Sequence, residues 1–395
     1  MIGQRLISAA AFLRATAVGA VGVFLAIALT ERGMSLGAIG FVIGAGMAGG
    51  AGATALVSAR IDQRVGRQRF LVILAVLGAA GLAVMAAPLP ASALVVAAFL
   101  GMVNGMGRDR GGLGTLEQAI LPDTAPPERR TWALAYYNLT LDIGHGVGAL
   151  AGAAPALLIA WLAMTPRAAY NSMLLGAAML LAAGALLYAR LPPDAEIRAS
   201  RSLSPIGADT RRRVRRLAAL FFIDSFGGGF LSSALVAYFF FDRFGMSEPA
   251  IAALFVAARG LNALSHLGAA WLADRIGLVN TMVFTHLPSS LFLMAAPASP
   301  SAGLAAALFL AREGLVEMDV PTRQSFVLSI VRPEERTYAS GVTNLTRTLG
   351  WAAGPMVAGV LMQHVSPAAP LYIGGGLKIG YDIWLYREAQ KVLRS

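Results

Sequence analysis

Residues 333–350 read PEERTYASGVTNLTRTLG, and residues 127–144 read PERRTWALAYYNLTLDIG. Laid over one another without a gap, at an offset of 206, they share nine of eighteen residues: Pro, Glu, Arg, Thr, Ala, Asn, Leu, Thr and Gly. The same offset brings Glu117-Gln118 onto Arg323-Gln324 and carries Gly144 and Gly148 onto Gly350 and Gly354. Since 206 is close to half of 395 residues, one half-length unit has been duplicated in tandem. Two shorter pairs fall in the same order. Gly33-Met34-Ser35 recurs as Gly245-Met246-Ser247, and the turn Asp62-Gln63-Arg64-Val65-Gly66-Arg67 has a partner in Asp274-Arg275-Ile276-Gly277. The chain reads as two homologous halves.

Apolar residues make up 57% of the chain and charged residues 13%, with a mean hydropathy of +0.65. A soluble domain carries about 25% charged residues, so this composition belongs to a membrane protein. Phe70–Gly107, Ala168–Ala189 and Ile276–Ala311 hold no Asp, Glu, Lys or Arg. The first and last of these are too long for one crossing of roughly 20 residues, and each breaks at a Pro-rich turn, Pro88-Leu89-Pro90 or Pro297-Ala298-Ser299-Pro300. Each is a hairpin of two spans. With no cysteine, neither disulfides nor thiol chemistry contribute. The first apolar segment lacks a small-residue cleavage site after it and reads as a retained span.

The predicted spans are 8–30, 36–59, 69–89, 92–120, 131–160, 168–190, 216–241, 248–273, 278–297, 303–328, 337–362 and 368–388, six per repeat. The net charge of +11 sits in short loops beside them: Arg60, Arg64, Arg67, Arg69, Arg129, Arg130, Arg275, Arg332, Arg336 and the tail. That placement is the positive-inside pattern rather than a nucleic-acid surface, and it puts both termini in the cytoplasm. The 191–215 connection carries Pro192-Pro193, Pro205 and Arg211-Arg212-Arg213 and falls where the halves join. It reads as the linker between a bundle at 1–190 and a bundle at 216–395. A surface helix or a lipid-headgroup site at its arginines stays open beside a solvated topology signal.

Twelve spans in two six-span repeats with a basic middle loop resemble the major facilitator superfamily. Trp271-Leu272-Ala273-Asp274-Arg275-Ile276-Gly277 is similar to that family's loop signature between the second and third spans of each half. Ala270 stands in place of the leading Gly, and the trailing basic pair is missing. The first copy keeps Asp62, Arg64, Gly66 and Arg67, but Asp62 is one residue too far from Gly66. Gly350-x-x-x-Gly354-Pro355 with Gly359 resembles the family's antiporter motif; Gly144, Gly148, Gly152 and Pro155 form a diluted copy. The resemblance implies two pseudo-twofold-related six-helix bundles, all α. It also implies latch roles for Asp62, Arg64, Arg67, Asp274 and Arg275, and transport like that of drug/proton-antiporter efflux permeases. Glycine at every fourth position also bares one helix face for close packing, so the motif serves either packing or a rocking interface.

A charge near the bilayer centre costs at least about 2.5–3.5 kcal/mol on insertion scales, so it faces the bundle interior and marks function. Span 1 carries Arg14 and span 7 Asp224; span 4 carries Arg108-Asp109-Arg110, and span 10 carries Arg312-Glu313, Glu317 and Asp319. In the resembled family spans 1, 4, 7 and 10 line the cavity. Consecutive helical residues point about 100° apart, so Arg108, Asp109 and Arg110 cannot share one cavity, and some of these charges pair structurally. The candidates for substrate or proton contact are Arg14, Arg108, Asp109, Asp224, Arg312 and Glu313. Glu117, Asp319 and Arg323 lie nearer the cytoplasmic end and read as gate partners. Asp142, Arg259, Arg347, Lys378 and Asp382 are secondary candidates. Proton coupling needs a carboxylate brought toward neutral titration by burial and tuned by a nearby cation; Asp224 opposite Arg14, or Glu313 beside Arg312, fits. His145, His266 and His286 lie in spans as relays or as simple hydrogen-bonded groups. Phe221, Phe222, Tyr238, Phe239, Phe240, Phe241, Tyr136 and Tyr137 either line a pocket or pack.

Metal-ligand spacing, a phosphate-cradling loop and a nucleophile elbow are all absent; Gly227-Gly228-Gly229 lacks the flanking strand that dinucleotide binding needs. The expectation is a secondary transporter and not an enzyme, with no cofactor or metal and no nucleic-acid partner, working as a monomer. It would move a small organic molecule out of the cell through a bacterial inner membrane, with protons as coupling ion. Uptake or exchange of an organic anion, held by Arg14, Arg108 and Arg312, and lipid flipping are the alternatives.

Overall fold

The structure is a computed structural model that describes residues 2–58, 65–108, 111–121, 130–191, 207–332 and 335–394. All regular secondary structure among these residues is helical. The first half contains α1 (Ile2–Thr30), α2 (Leu36–Ser58), α3 (Arg67–Met85), α4 (Ala91–Gly101), α5 (Gly112–Ile120), α6 (Arg130–Ala151), α7 (Ala154–Leu162) and α8 (Pro166–Ala189). The second contains α9 (Ala208–Gly229), α10 (Ser233–Phe244), α11 (Glu248–Ile276), α12 (Leu278–Ala295), α13 (Ala302–Val316), α14 (Asp319–Ser329), α15 (Arg336–His364) and α16 (Ala369–Arg394).

Seven stretches among the described residues are long and apolar enough to cross a membrane: Gly3–Thr30, Leu36–Val57, Arg67–Met85, Tyr136–Leu162, Pro166–Ala189, Ala208–Phe244 and Leu278–Ala298. α1, with 29 residues, rises roughly 44 Å against a hydrocarbon core of about 30 Å. α11, α15 and α16, at 29, 29 and 26 residues, are also long enough to cross.

The duplication extends to backbone conformation. Gly33 and Gly245 follow α1 and α10 at φ of 77° and 61°, and Gly66 and Gly277 precede α3 and α12 at 94° and 86°. A side chain is strained at these angles, which explains why the repeat keeps glycine in both copies. Packing partners repeat as well. α1 packs on α6 and α8, as α9 packs on α15 and α16; α3 lies on α8 and α4, as α12 lies on α16 and α13. Between the halves α2 crosses α15, and α6 crosses α11. The two all-α bundles are related as a duplicated unit predicts.

Four predicted spans are each two helices: 92–120 is α4 and α5, 131–160 is α6 and α7, 216–241 is α9 and α10, and 303–328 is α13 and α14. The longest break, residues 102–111, holds Met102 at φ 51° and Gly107 at φ 66°. Asn104 there stands in for helical hydrogen bonds: its Nδ2 donates to the Arg108 carbonyl at 2.6 Å, and its Oδ1 accepts from the Met106 amide at 2.8 Å. α9 begins at Ala208, inside the connection read as linker; residues 192–206 of that connection lie outside the described residues.

Candidate functional site

The site begins where two broken spans meet. Unwound backbone at membrane depth is tolerated where protein buries it or where it lines a cavity. Three successive carbonyls of the 102–111 break accept hydrogen bonds from the second half. The Ala234 amide donates to Gly105 O at 3.1 Å, Ser233 Oγ to Met106 O at 2.8 Å, and Arg259 Nη2 to Gly107 O at 3.0 Å. α10 can offer its first amides because the chain has just broken after Gly229.

At the end where α1 finishes and α2 begins, the seam between halves is closed. A Cβ on Gly40 of α2 would lie 2.3 Å from the Pro355 carbonyl of α15, so only glycine permits this crossing. The Gly37 amide donates to Gln363 Oε1 at 2.9 Å. Glu248, buried at the start of α11, accepts from the Tyr170 hydroxyl and from the Ala156 amide at 3.1 Å.

Toward the opposite end, where α2 finishes and α15 begins, a cavity of about 510 Å³ lies between the halves. Its walls include Gln118, Asn138, Asp142, Asn262, Asn344 and Trp351. A smaller one of about 100 Å³ adjoins it, and Arg108, Arg259, Glu317 and Arg347 line both. Arg108 pairs with Glu317 and lies 4.0 Å from Glu313. Glu313 also pairs with Arg312 and accepts from Asn262 Nδ2 at 2.9 Å.

The smaller cavity ends on a buried cluster assembled from four helices. Lys378 Nζ donates to Asp224 Oδ1 at 2.7 Å, and Arg347 Nη1 to Asp224 Oδ2 at 3.1 Å. His286 Nδ1 lies 2.9 Å from Asp382 Oδ1, and its Nε2 lies 3.4 Å from Lys378 Nζ. A carboxylate at Nδ1 holds the proton there, which leaves Nε2 as an acceptor facing the lysine. Arg347 stacks over Trp351 at 4.7 Å from the ring centre.

The first half holds its own cluster. Arg14 donates to Glu117 at 2.8 Å; Tyr137 Oη donates to the same carboxylate at 2.7 Å, and Tyr188 Oη contacts it too. Arg14 and Glu117 are 5% and 0% exposed; Arg14 borders a small cavity of about 70 Å³ within the first half, and Tyr137 reaches the wall of the larger one.

Asp224 thus takes Lys378 and Arg347 as partners, not Arg14, because the two charges sit in separate bundles each with its own counter-ions. Glu117, read as a gate residue, is buried inside the first bundle against Arg14. Arg108, Arg312, Glu313, Glu317 and Asp224 are brought together, and Asp319 pairs with Arg323 beside them. Gly350 and Gly354 serve packing within the second half: Cβ atoms there would come within 2.8 Å of Phe222 O and 2.6 Å of Gly229 Cα. Pro355 faces α2 across the seam. Arg67 is buried, and Arg275 stacks on Trp271 at 4.0 Å beside an exposed Asp274. Asp62, Arg64 and Asp109 lie outside the described residues, as does the His266 side chain. Phe239 and Phe240 pack into a core with Phe244 and Phe309, and Phe221 packs on Tyr381. Glu248 escaped the sequence reading; its only signal was a carboxylate between Ser247 and Pro249 at a helix start.

The fold is shared with solved transporters. The nucleoside transporter NupG superposes with a TM-score of 0.76 at 18% identity over 100% of both chains. The D-xylose-proton symporter gives 0.71 at 14%, covering 97% of this chain and 96% of that one. A bacterial homolog of the human lysosomal transporter Spinster, in an inward-facing and unoccupied conformation, gives 0.70 at 15%, covering 98% and 96%. An uncharacterized membrane protein of Saccharomyces cerevisiae, YJR124C, is 27% identical over 181 residues, 46% of this chain and 40% of that protein, so the match spans less than half of that relative. The sequence profile of the Major Facilitator Superfamily matches residues 7–355 and, separately, 217–393. With its duplicated helical bundles and the charged cavity between them, the chain belongs to the Major Facilitator Superfamily of membrane transporters.

Proposed function

We propose that this protein is a secondary active transporter that exports a small organic solute across the cytoplasmic membrane of a bacterium by proton-coupled alternating access. The moving bodies are the bundles 1–190 and 216–395, joined by 191–215, with both termini cytoplasmic and one copy of the chain sufficient. The observation that carries this reading is the cavity of about 510 Å³, which lies between the halves and is shut at one end by contacts that all cross the seam. Exchanging that closure for one at the other end delivers the cavity to the opposite face. The volume is in the range that holds small organic ligands.

Proton coupling draws support from the second-half cluster. His286 turns Nε2 to Lys378 at 3.4 Å and to Asp224 at 3.9 Å, and Asp382 fixes its tautomer. A proton arriving from the cavity at Nε2 or Asp224 must displace Lys378, so protonation and helix position are linked. One fold relative is a proton symporter by name, and the resemblance of Gly350, Gly354 and Pro355 to an antiporter motif supports export. Arg108, Arg312, Glu313 and Asp224 are the substrate or coupling residues in this reading; Asp319 and Arg323 are gate partners.

The test is transport in proteoliposomes under an imposed gradient of one pH unit, screened over sugars, nucleosides, amino acids, organic acids and lipophilic cations. Such a gradient is worth about 1.4 kcal/mol per proton, a tenfold accumulation at one proton per solute. Gradient-driven movement should disappear in Asp224→Asn or Glu313→Gln. Movement indifferent to the gradient removes the coupling, and movement of no solute class removes the transport reading.

A further inference from the structure

We propose that Arg259 and Asn262, one turn apart on α11, form the binding site for a small organic anion that also carries a hydrogen-bond donor. This rests on the transport reading for the use of the site, though not for its existence.

Arg259 differs from the other cavity cations. Arg108 pairs with Glu317, Arg312 with Glu313, Arg323 with Asp319, and Arg347 and Lys378 with Asp224. Among the described residues no carboxylate lies within ion-pair distance of Arg259; its one hydrogen bond is to the Gly107 carbonyl at 3.0 Å. A guanidinium has five N–H donors, so four remain on the wall shared by both cavities. A cation taken from water without a counter-ion is strongly unfavourable, and an anion from solution would offset that.

Asn262 supplies the second point of recognition. Its Nδ2 donates to Glu313 Oε2 at 2.9 Å, and because a carboxylate only accepts, this fixes which way the amide faces. Its Oδ1 is then left buried with no partner, in a side chain only 5% exposed that lines the larger cavity. Residues three apart on a helix share a face with Cβ atoms about 5–6 Å apart. A carboxylate or phosphate on Arg259 would therefore place a hydroxyl or N–H of the same molecule against Asn262 Oδ1. Polyhydroxy carboxylates and sugar phosphates have this chemistry.

The proposal is tested by thermal shift and tryptophan fluorescence of the purified protein, using gluconate, glucose 6-phosphate, glucose, lactate and propionate as probes. Gluconate or glucose 6-phosphate should bind saturably where glucose does not; which of the two binds tells carboxylate from phosphate. Lactate should bind more tightly than propionate. Arg259→Gln, which keeps a donor for Gly107 O, should weaken anion binding about tenfold or more, while Arg259→Lys retains part of it. Asn262→Leu should abolish the lactate preference and leave propionate unchanged. Unliganded melting of these variants near wild type shows that they fold. Glucose binding as well as gluconate, no binding by either anion, or anion affinity unchanged in Arg259→Gln would overturn the site. Anion binding that depends on Arg259, without movement of any solute in proteoliposomes, would keep the site and defeat the transport reading. Movement of neutral solutes unaffected by Arg259→Gln would do the reverse.

Discussion

The two halves place charges at related positions and use them in opposite ways. Arg14 on α1 corresponds, within a couple of residues, to Asp224 on α9, and Glu117 on α5 corresponds to Arg323 on α14. The signs are inverted. In the first half the arginine and glutamate meet each other, and two tyrosines complete the buried carboxylate. In the second half Asp224 turns to Lys378 and Arg347, Arg323 turns to Asp319, and His286 with Asp382 adds a titratable extension on the cavity wall. A closed set of partners holds a bundle together. An open set facing a cavity can change partners, which is what coupling requires. We expect the first cluster to serve stability and the second to serve coupling.

Breaking the first cluster should have the largest effect. Removing one member of a buried ion pair leaves the other uncompensated, at a cost of about 3–5 kcal/mol. Glu117→Leu should therefore lower the melting temperature in detergent sharply, and Arg14→Leu with Glu117→Leu should recover much of the loss. If Glu117→Leu instead melts like wild type but loses transport, the two clusters do not differ as argued.

The open cluster should respond in the other currency. His286→Gln keeps the imidazole's approximate shape and a donor for Asp382 but cannot hold an extra proton. Gradient-driven transport should fall about tenfold or more while solute binding at fixed pH stays within about twofold of wild type. Equal losses of melting temperature in His286→Gln and Glu117→Leu would erase the distinction.

The contrast between the clusters was only partly legible in the chain. The duplication was plain, because NLT and its flanking glycines survive in both copies and the turn glycines are held in place by backbone angles no other residue adopts easily. The depth of Arg14, Asp224 and the span 10 charges was equally plain, since apolar runs fix their distance from the span ends. Partner choice was not. Arg14 and Glu117 are 103 positions apart, and Asp224 meets Lys378 over 154, so no local spacing encodes either pair. The breaks were hidden for a different reason. Gly101 to Gly112 holds five glycines, Asn104 and three charges, a pattern that a membrane helix also tolerates, and the carbonyls freed there are met by Ser233, Ala234 and Arg259 of the other half. Arg259 and Glu248 gained their importance only from what surrounds them.

Glycine contacts separate seam from bundle in a milder way. Gly40→Ala would drive a methyl group into the Pro355 carbonyl across the seam, whereas Gly148→Ala would press on the Thr16 carbonyl within the first bundle, where a Cβ would come within 2.1 Å. Each overpacking should cost about 1–3 kcal/mol, but against different equilibria. In Gly40→Ala the closed end should open more often, raising the labelling rate of a cysteine placed at the buried Met362 in this cysteine-free chain. Gly148→Ala should lower the melting temperature and leave that labelling unchanged. Labelling that rises equally in both would mean that the seam and the bundles do not move as separate bodies.

The smallest effect concerns how α9, which carries Asp224, is anchored. Glu335, just before α15, accepts from the Gly207 amide at 3.0 Å and from Thr210 Oγ1 at 2.8 Å, which caps the start of α9 from another segment. These donors, the Gly207 amide foremost, hold the Glu335 carboxyl below the usual glutamate range. A carboxyl depressed in the folded state adds stability above its unfolded pKa of about 4.3 and loses it as pH falls through the lower folded value. Hydrogen exchange at the first turn of α9 should therefore stay slow from neutral pH down to about 4 and quicken below that, once corrected for intrinsic rates. Glu335→Gln should exchange faster at neutral pH and show no such step. If the step persists without the carboxyl, the first turn of α9 is held by something other than Glu335, and the second cluster gains no rigidity from this contact.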